Sequence, residues 1–319
     1  MIFEKQIVKM YMKMMYSRCD DTETVYYFSP EDFAGLQAEP HSFEASAGHM
    51  LQGYFYQYDN PIPDRLVVFD HGFGGGHRAY MKEIDMLCRH GYRVFSYDHT
   101  GCMESGGKTT NGLSQSLCDL NDCIAMLKAD SGYAETDISV MGHSWGAYST
   151  LNISALHPDI SHIVAMAGYV SVPEMIGTFF SGFMKGYRKA ILDLETASNP
   201  RFVTYDAVKT LSESKTKALL IYSENDFMCP LKHYYTLRSG LEGKENIRFL
   251  LLKNKGHNPN YTEEAVKYLN EFGKARSKLI RRKNANAEEK AAFVASYDWD
   301  RMTVQDEAVW AAVFEHLDE

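Results

Sequence analysis

The fold of this chain is decided by residues 138–146, which read ISVMGHSWG. Residues 138–142 form a short apolar run typical of a buried strand, and residues 145–156 have the pattern of a helix that ends near Pro158. One glycine stands two residues before Ser144 and another stands two residues after it, so the backbone can turn sharply without a Cβ clash. This G-x-S-x-G pattern between a strand and a helix predicts a nucleophile elbow that exposes the Ser144 hydroxyl at the carboxyl end of the strand.

Strand and helix patterns alternate around this segment. Strands are predicted at residues 65–70, 92–98, 138–142, 162–167, 217–223 and 246–252. Helices are predicted at residues 79–90, 113–128, 145–156 and from residue 262 to about residue 278. Apolar strands that alternate with helices are typical of a mostly parallel sheet with helices on both faces, so the predicted fold class is α/β.

The two ends of the chain and one internal stretch depart from this alternation. An amphipathic helix over residues 1–15 is expected to pack on the domain rather than on a membrane surface. Short strands are predicted at residues 25–28, 42–45 and 51–58, where an antiparallel hairpin would lead into the parallel sheet. A last amphipathic helix is predicted over residues 304–317.

The domain organisation follows from these departures. Residues 169–216 are rich in Met and aromatic residues at helical spacing, which predicts a helical insertion over one end of the sheet. We therefore divide the chain into a core of residues 1–168 and 217–280, the insertion at residues 169–216, and a C-terminal helical extension at residues 281–319.

A glycine-rich turn at residues 71–76 (HGFGGG) follows the predicted strand 65–70. A turn at this place can aim a backbone N–H at an oxyanion, and Phe73 is the first candidate donor, with Gly74 as the second. The N–H of Trp145, directly after Ser144, is the expected partner donor.

The remaining predicted catalytic residues also follow strands. A serine hydroxyl is a weak nucleophile near neutral pH, so it needs a general base, and the base needs a group that orients it. His257 follows the strand 246–252 and is the predicted base. Asp226 follows the strand 217–223 and is the predicted orienting carboxylate, with Glu224 as its competitor.

Together these motifs resemble the α/β-hydrolase superfamily. The HGFGGG turn, the GHSWG elbow, Asp226 and the GH pair at 256–257 carry the resemblance. Residues 97–106 (YDHTGCMESG) are similar to the D-x-x-G-x-G-x-S segment of its esterase and lipase branches, although the second glycine is replaced. The resemblance covers roughly residues 45–275 and implies the α/β-hydrolase fold, in which residues 169–216 are the cap that shapes the acyl or alcohol pocket.

The predicted function is that of a serine hydrolase which cleaves a carboxylic ester through an acyl-enzyme, because the Met-rich and aromatic cap favours an apolar pocket. An aminoacyl or peptide hydrolase and a thioesterase use the same residues and stay open as alternatives. A non-catalytic binding module on this fold is the more distant alternative. The mechanism requires no cofactor.

Composition limits the expected partners. The chain has 42 acidic and 33 basic residues with no basic stripe, so nucleic acid is not an expected partner. No run of 18 apolar residues predicts a membrane span. Six scattered cysteines without a C-x-x-C pair, and no H-E-x-x-H motif, indicate reduced thiols in a cytoplasmic protein without a metal site. The expected partner is a small-molecule ester or amide, and the oligomeric state stays open.

Overall fold

The computed structural model of the protein describes residues 3–282 and 285–319. Its strands are β1 (Gln37–Glu44), β2 (Met50–Gln57), β3 (Arg65–Asp70), β4 (Arg93–Tyr97), β5 (Asp137–His143), β6 (His162–Met166), β7 (Lys217–Ser223) and β8 (Ile247–Leu252). Its α-helices are α1 (Glu4–Met15), α2 (Met81–Arg89), α3 (Gln115–Ala129), α4 (Trp145–Asn152), α5 (Val172–Phe179), α6 (Arg188–Ser198), α7 (Ala207–Glu213), α8 (Leu231–Gly240), α9 (Glu263–Arg281), α10 (Ala287–Ala295), α11 (Trp299–Met302) and α12 (Glu307–Leu317). Short 3-10 helices lie at Pro30–Asp32, His77–Tyr80, Ile153–Ala155, Gly182–Tyr187 and Phe202–Thr204.

The strands form one sheet in the order β1-β2-β4-β3-β5-β6-β7-β8. The pairs β1–β2 and β2–β4 are antiparallel, and the other neighbouring pairs are parallel. The predicted α/β class, the mostly parallel sheet and the antiparallel hairpin that leads into it are thus confirmed. The central strands β3, β6 and β7 have apolar interiors and nearly all of their residues are buried, as expected for strands that are covered on both faces of the sheet.

One strand prediction is wrong. Residues 25–28 are irregular instead of forming a strand. The Tyr26 ring meets the rings of Phe28 and Trp299, and Phe28 packs on Phe33. These aromatic side chains have high strand propensity, but their contacts with the C-terminal segment decide the local structure.

The first strand starts earlier than its sequence pattern predicts. β1 begins at Gln37, and it pairs with β2 along its whole length although most of its side chains are exposed. An edge strand with so few buried side chains has little alternation of apolar and polar residues. Its first half is therefore not recognisable as a strand from the sequence.

The two faces of the sheet belong to two separate apolar clusters. Leu66 and Val68 of β3 belong to one cluster, and Val67 and Phe69 belong to the other, because successive side chains of a strand point to opposite faces. The second cluster also contains residues of α2 and α12, among them the fully buried Trp310. The C-terminal helix α12 therefore covers one face of the sheet.

The N-terminal helix also packs on the domain. Tyr11 of α1 is buried, and its hydroxyl donates a hydrogen bond of 2.6 Å to Glu195 Oε1 of α6. Met1 and Ile2 of the predicted N-terminal helix lie outside the described residues, as do Lys283 and Asn284 of the predicted extension. The division into core, cap and extension stays a prediction, and α12 within the predicted extension is packed on the core.

Candidate active site

Ser144 stands at the junction of β5 and α4 with a backbone φ of 56° and ψ of −109°. A φ in this region is strained for a residue with a side chain, and such strain is typical of functional sites. The flanking glycines make the turn possible. A Cβ on Gly146 would lie 2.0 Å from the carbonyl oxygen of Asp70, and a Cβ on Gly142 would lie 2.3 Å from Thr150 Oγ1. The predicted elbow thus has the backbone geometry that the motif requires.

The structure brings Ser144, His257 and Asp226 together. Ser144 Oγ lies 2.8 Å from His257 Nε2, and His257 Nδ1 lies 2.8 Å from Asp226 Oδ2. Because a carboxylate oxygen accepts, Nδ1 carries the proton, and Nε2 is free to accept the serine proton. The Asp226 side chain is fully buried, whereas the His257 side chain is 23% exposed at the surface of the site.

Two features identify Asp226 rather than Glu224 as the carboxylate beside the histidine. Asp226 Oδ1 accepts hydrogen bonds from the backbone N–H groups of Met228 (2.7 Å) and Cys229 (3.0 Å), which fixes the carboxylate so that Oδ2 faces the ring. Glu224, the competing residue, is exposed to solvent.

Hydrogen bonds connect the loop that carries His257 to the loop that carries Asp226. The side chain of Asn225 accepts hydrogen bonds from the N–H of Gly256 (2.9 Å) and from the hydroxyl of Ser223 (2.8 Å). Gly256 has a φ of +53°, so the chain turns directly before His257 at a position that favours glycine. The sequence did not predict the roles of Ser223 and Asn225, because polar residues are common in loops.

His143, the second residue of the GHSWG motif, also holds the His257 loop. Its Nε2 donates a hydrogen bond of 2.6 Å to the backbone carbonyl of His257, and its Nδ1 accepts from the Tyr80 hydroxyl at 2.8 Å. Tyr80 in turn accepts from the N–H of Gly72 at 3.1 Å. Burial, with a smaller effect from His257, lowers the pKa of His143 to about 3, so this ring is neutral and serves as a bridge.

The side chains of the two predicted oxyanion residues, Phe73 and Trp145, are in contact. The rings of Phe73 and Trp145 are 5.2 Å apart in an edge contact. Trp145 is the first residue of α4, where a backbone N–H has no partner within the helix and the helix dipole favours negative charge. The turn that carries Phe73 is held by His71, whose Nδ1 donates to the Gly72 carbonyl at 2.7 Å.

A buried cluster of charged side chains, His99, Asp70 and Asp119, packs next to Trp145 of the elbow. His99 lies 3.0 Å from Asp70 and 3.2 Å from Asp119, and all three side chains are fully buried. Burial opposes a charge on His99, but the two carboxylates outweigh it and raise its pKa to about 10. The His99 ring lies 4.8 Å from the Trp145 ring. The sequence pattern did not predict this cluster, although His99 lies within the YDHTGCMESG segment.

None of the helices in residues 3–282 and 285–319 is both long enough and apolar enough to cross a bilayer. Within the same residues, no group of three or more His, Cys, Asp or Glu side chains is arranged to hold a metal ion.

The sheet order and the serine elbow define an α/β-hydrolase, and the comparison with family models agrees. Residues 61–228 match the model of the family described as serine aminopeptidase, S33. The match covers just over half of the chain, so the chain belongs to this family of serine-hydrolase type. The predicted α/β-hydrolase resemblance is thereby confirmed.

Known proteins similar to this chain include the uncharacterized protein YqkD of Bacillus subtilis. The two are 26% identical over 128 residues, which is 40% of this chain and 41% of that relative. The match therefore spans less than half of the relative's length.

Solved structures share the fold at low sequence identity. The Pyrococcus furiosus esterase Pf2001 has a TM-score of 0.59 and 20% identity over 81% of this chain and 96% of its own. A putative dienelactone hydrolase of Klebsiella pneumoniae has a TM-score of 0.54 and 14% identity over 89% of this chain and 99% of its own. An acylaminoacyl peptidase has a TM-score of 0.54 and 18% identity over 70% of this chain and 38% of its own.

Proposed function

We propose that this protein is a serine hydrolase that cleaves a carboxylic ester through an acyl-enzyme, with Ser144, His257 and Asp226 as its catalytic residues. The observation that carries the proposal is the continuous row of hydrogen bonds from Ser144 Oγ through the His257 ring to Asp226 Oδ2, with both contacts at 2.8 Å. In this arrangement a weak nucleophile has a base within reach, and the base has an orienting carboxylate.

In the proposed first step, His257 Nε2 takes the Ser144 proton while Oγ forms a bond to the carbonyl carbon of the ester. The carbonyl oxygen becomes an oxyanion that accepts from the N–H groups of Phe73 and Trp145, with Gly74 as the second candidate for the first donor. Collapse of this intermediate breaks the bond to the alcohol oxygen, which receives the proton from His257. Water then attacks the acyl carbon with the help of the same base and releases the acid.

A fluorophosphonate probe tests the nucleophile directly. We expect the wild-type protein to be labelled once per chain and Ser144→Ala to be unlabelled. Ser212→Ala is the matched control, because Ser212 is an exposed serine on α7 away from the elbow. Equal labelling of Ser144→Ala would reject the assignment, and failure of every variant to react would favour a non-catalytic binding module.

A second candidate activity is hydrolysis of an aminoacyl or peptide bond. It is favoured by the match to a family described as serine aminopeptidase, S33. Thioester hydrolysis would use the same three residues. Rates on short and long p-nitrophenyl esters, aminoacyl p-nitroanilides and acyl thioesters would separate the three. The proposed ester activity is rejected if the anilides are cleaved with the higher kcat/KM.

The domain division and a cytoplasmic location belong to the same proposal. All six cysteines are free thiols, as a reducing compartment favours. The packing of α12 on the sheet supports a stabilising role for the predicted extension. Deletion of residues 304–319 is expected to lower the thermal midpoint, and the mass in solution would show whether this segment also joins subunits.

A further inference from the structure

A cavity of about 350 Å³ borders the loops that carry the proposed chemistry. Phe73 and Gly74 of the oxyanion turn line one side of it, and Asn258, which follows the proposed base, lines another. The space beside Gly74 is open, since a Cβ placed there would meet nothing within 4 Å. The rest of the lining comes from residues 25–28, 75–80, 261–276 and 299–303. This cavity is therefore built by segments outside the predicted cap at residues 169–216.

The charged side chains that line this cavity are two arginines, Arg78 and Arg276. Arg276 donates hydrogen bonds to the hydroxyls of Thr24 (2.9 Å) and Thr22 (3.0 Å), and Arg78 donates to the Tyr27 carbonyl (3.4 Å). Both guanidinium groups are therefore held by neutral oxygens. Because both are also half-buried, each retains its attraction for an anion in the cavity.

Arg78 also borders a smaller cavity of about 200 Å³ whose lining includes the carboxylates of Asp20, Asp21, Asp98 and Glu104. These carboxylates have partners of their own. Asp98 accepts from His77 at 2.8 Å, and Glu104 accepts from the Tyr54 hydroxyl at 2.7 Å. Arg276 does not line this acidic cavity, so it is the principal cation of the larger one.

The remaining walls of the larger cavity are largely aromatic. Phe28, Phe272 and Trp299 line it together with Tyr26 and Tyr27. Aromatic walls favour flat apolar groups, and a half-buried arginine is suited to a carboxylate. The lining thus matches a ligand that joins an aromatic or apolar frame to an anionic group.

We propose that this cavity binds the part of the substrate that carries a carboxylate on an aromatic or apolar frame, with Arg276 and Arg78 as the residues that determine this specificity. The inference rests on the proposed hydrolase function, because the cavity is taken as an extension of that site. The preferred substrates are then anionic esters rather than neutral ones.

The kinetic test uses two esters of the same shape, 4-acetoxybenzoate and 4-acetoxybenzamide. We expect the wild-type protein to have the higher kcat/KM for the carboxylate. In Arg276→Gln the carboxylate-to-carboxamide ratio is expected to fall about tenfold, the loss typical of one charge-assisted hydrogen bond. Arg78→Gln is expected to lower the ratio less. Arg238→Gln on α8 is the matched control, because it removes an exposed arginine outside the cavity. Unchanged ratios in both cavity variants would overturn the inference.

A binding measurement separates this inference from the proposed function. Calorimetry on the Ser144→Ala protein with 4-hydroxybenzoate and 4-hydroxybenzamide needs no turnover. Tighter binding of the carboxylate, lost in the Arg276→Gln background and kept with Arg276→Lys, supports the inference even if the esters are not hydrolysed. Equal affinity for the two compounds overturns it even if the esters are hydrolysed. Thermal melts of Arg276→Gln and Arg276→Lys show whether the contacts to Thr22 and Thr24 affect folding.

Discussion

His143 Nε2 lies 2.6 Å from the backbone carbonyl oxygen of His257, so the residue directly before the proposed nucleophile holds the loop of the proposed base. The same ring accepts from Tyr80 at 2.8 Å, and Tyr80 accepts from Gly72 beside the oxyanion turn. One neutral imidazole thereby connects three loops that come from distant parts of the chain.

Replacement of His143 by Phe keeps a ring of similar size and removes both hydrogen bonds. We expect kcat to fall roughly fivefold with little change in KM, because the loss of a neutral hydrogen bond costs about 1 kcal/mol and shifts the base rather than the substrate. Tyr80→Phe removes the hydrogen bonds of the tyrosine hydroxyl with His143 and Gly72 but keeps the bond from His143 to the His257 carbonyl, so its effect on kcat should be smaller. Steady-state kinetics and thermal melts measure both variants, and an unchanged kcat in His143→Phe would contradict the positioning role.

Replacement of Asp226 by Asn should lower kcat by about 10³- to 10⁴-fold, because an amide no longer orients the imidazole or stabilises its cation. Glu224→Gln is the matched control, since it changes the exposed carboxylate two residues earlier and leaves the contact at His257 intact. Initial rates on the best ester measure both variants. A larger loss in Glu224→Gln than in Asp226→Asn would show that the two carboxylates have been assigned in the wrong order.

Two glycine-to-alanine changes are expected to have opposite effects on stability. In Gly146→Ala the new Cβ would lie 2.0 Å from the Asp70 carbonyl oxygen, so the elbow must shift at a cost of at least about 1–3 kcal/mol. Gly273 lies in α9, and a Cβ there meets nothing within 4 Å. Gly273→Ala should therefore stabilise the protein by roughly 0.5–1 kcal/mol. Urea unfolding measures both changes, and a stable, active Gly146→Ala protein would argue against the close packing at the elbow.

Glu83 introduces a pH dependence of stability. Burial raises the pKa of Glu83 from 4.5 to about 7, and its Oε1 accepts from Asn260 at 2.8 Å. The folded state then binds the proton more tightly than the unfolded state. The contribution of Glu83 to the free energy of unfolding is fully present below pH 4.5. It decreases as the pH rises to about 7, by up to about 1.4 kcal/mol for each pH unit.

Glu83→Gln removes this dependence because the amide is neutral and its oxygen still accepts from Asn260. We expect the variant to be more stable than the wild-type protein at pH 8 and close to it at pH 4.5. Urea unfolding at several pH values measures the difference. Identical pH profiles for the two proteins would show that the buried carboxyl has an ordinary pKa.

Local patterns predicted most of the fold and the members of the proposed site. The strands before Ser144, Asp226 and His257 are short apolar runs that end in turn residues. The apolar composition of such a run is enough to indicate a buried strand. The elbow was predictable because a glycine on each side of Ser144 is a local requirement of the backbone. Residues 25–28 were assigned wrongly for a related reason, since their aromatic content reports strand propensity and not their contacts with the C-terminal segment.

The sequence by itself determined the α/β class, the serine elbow and the residue types available to it, because these depend on neighbours within a few positions. Only the tertiary structure decided which side chains meet. The contacts of His143 with His257 and of His99 with Asp70, the packing of α12 on the sheet and the arginine-lined cavity all join segments that are distant in the chain. Such contacts depend on how strands and loops are arranged in three dimensions. A local sequence pattern does not identify the distant residue with which it makes contact.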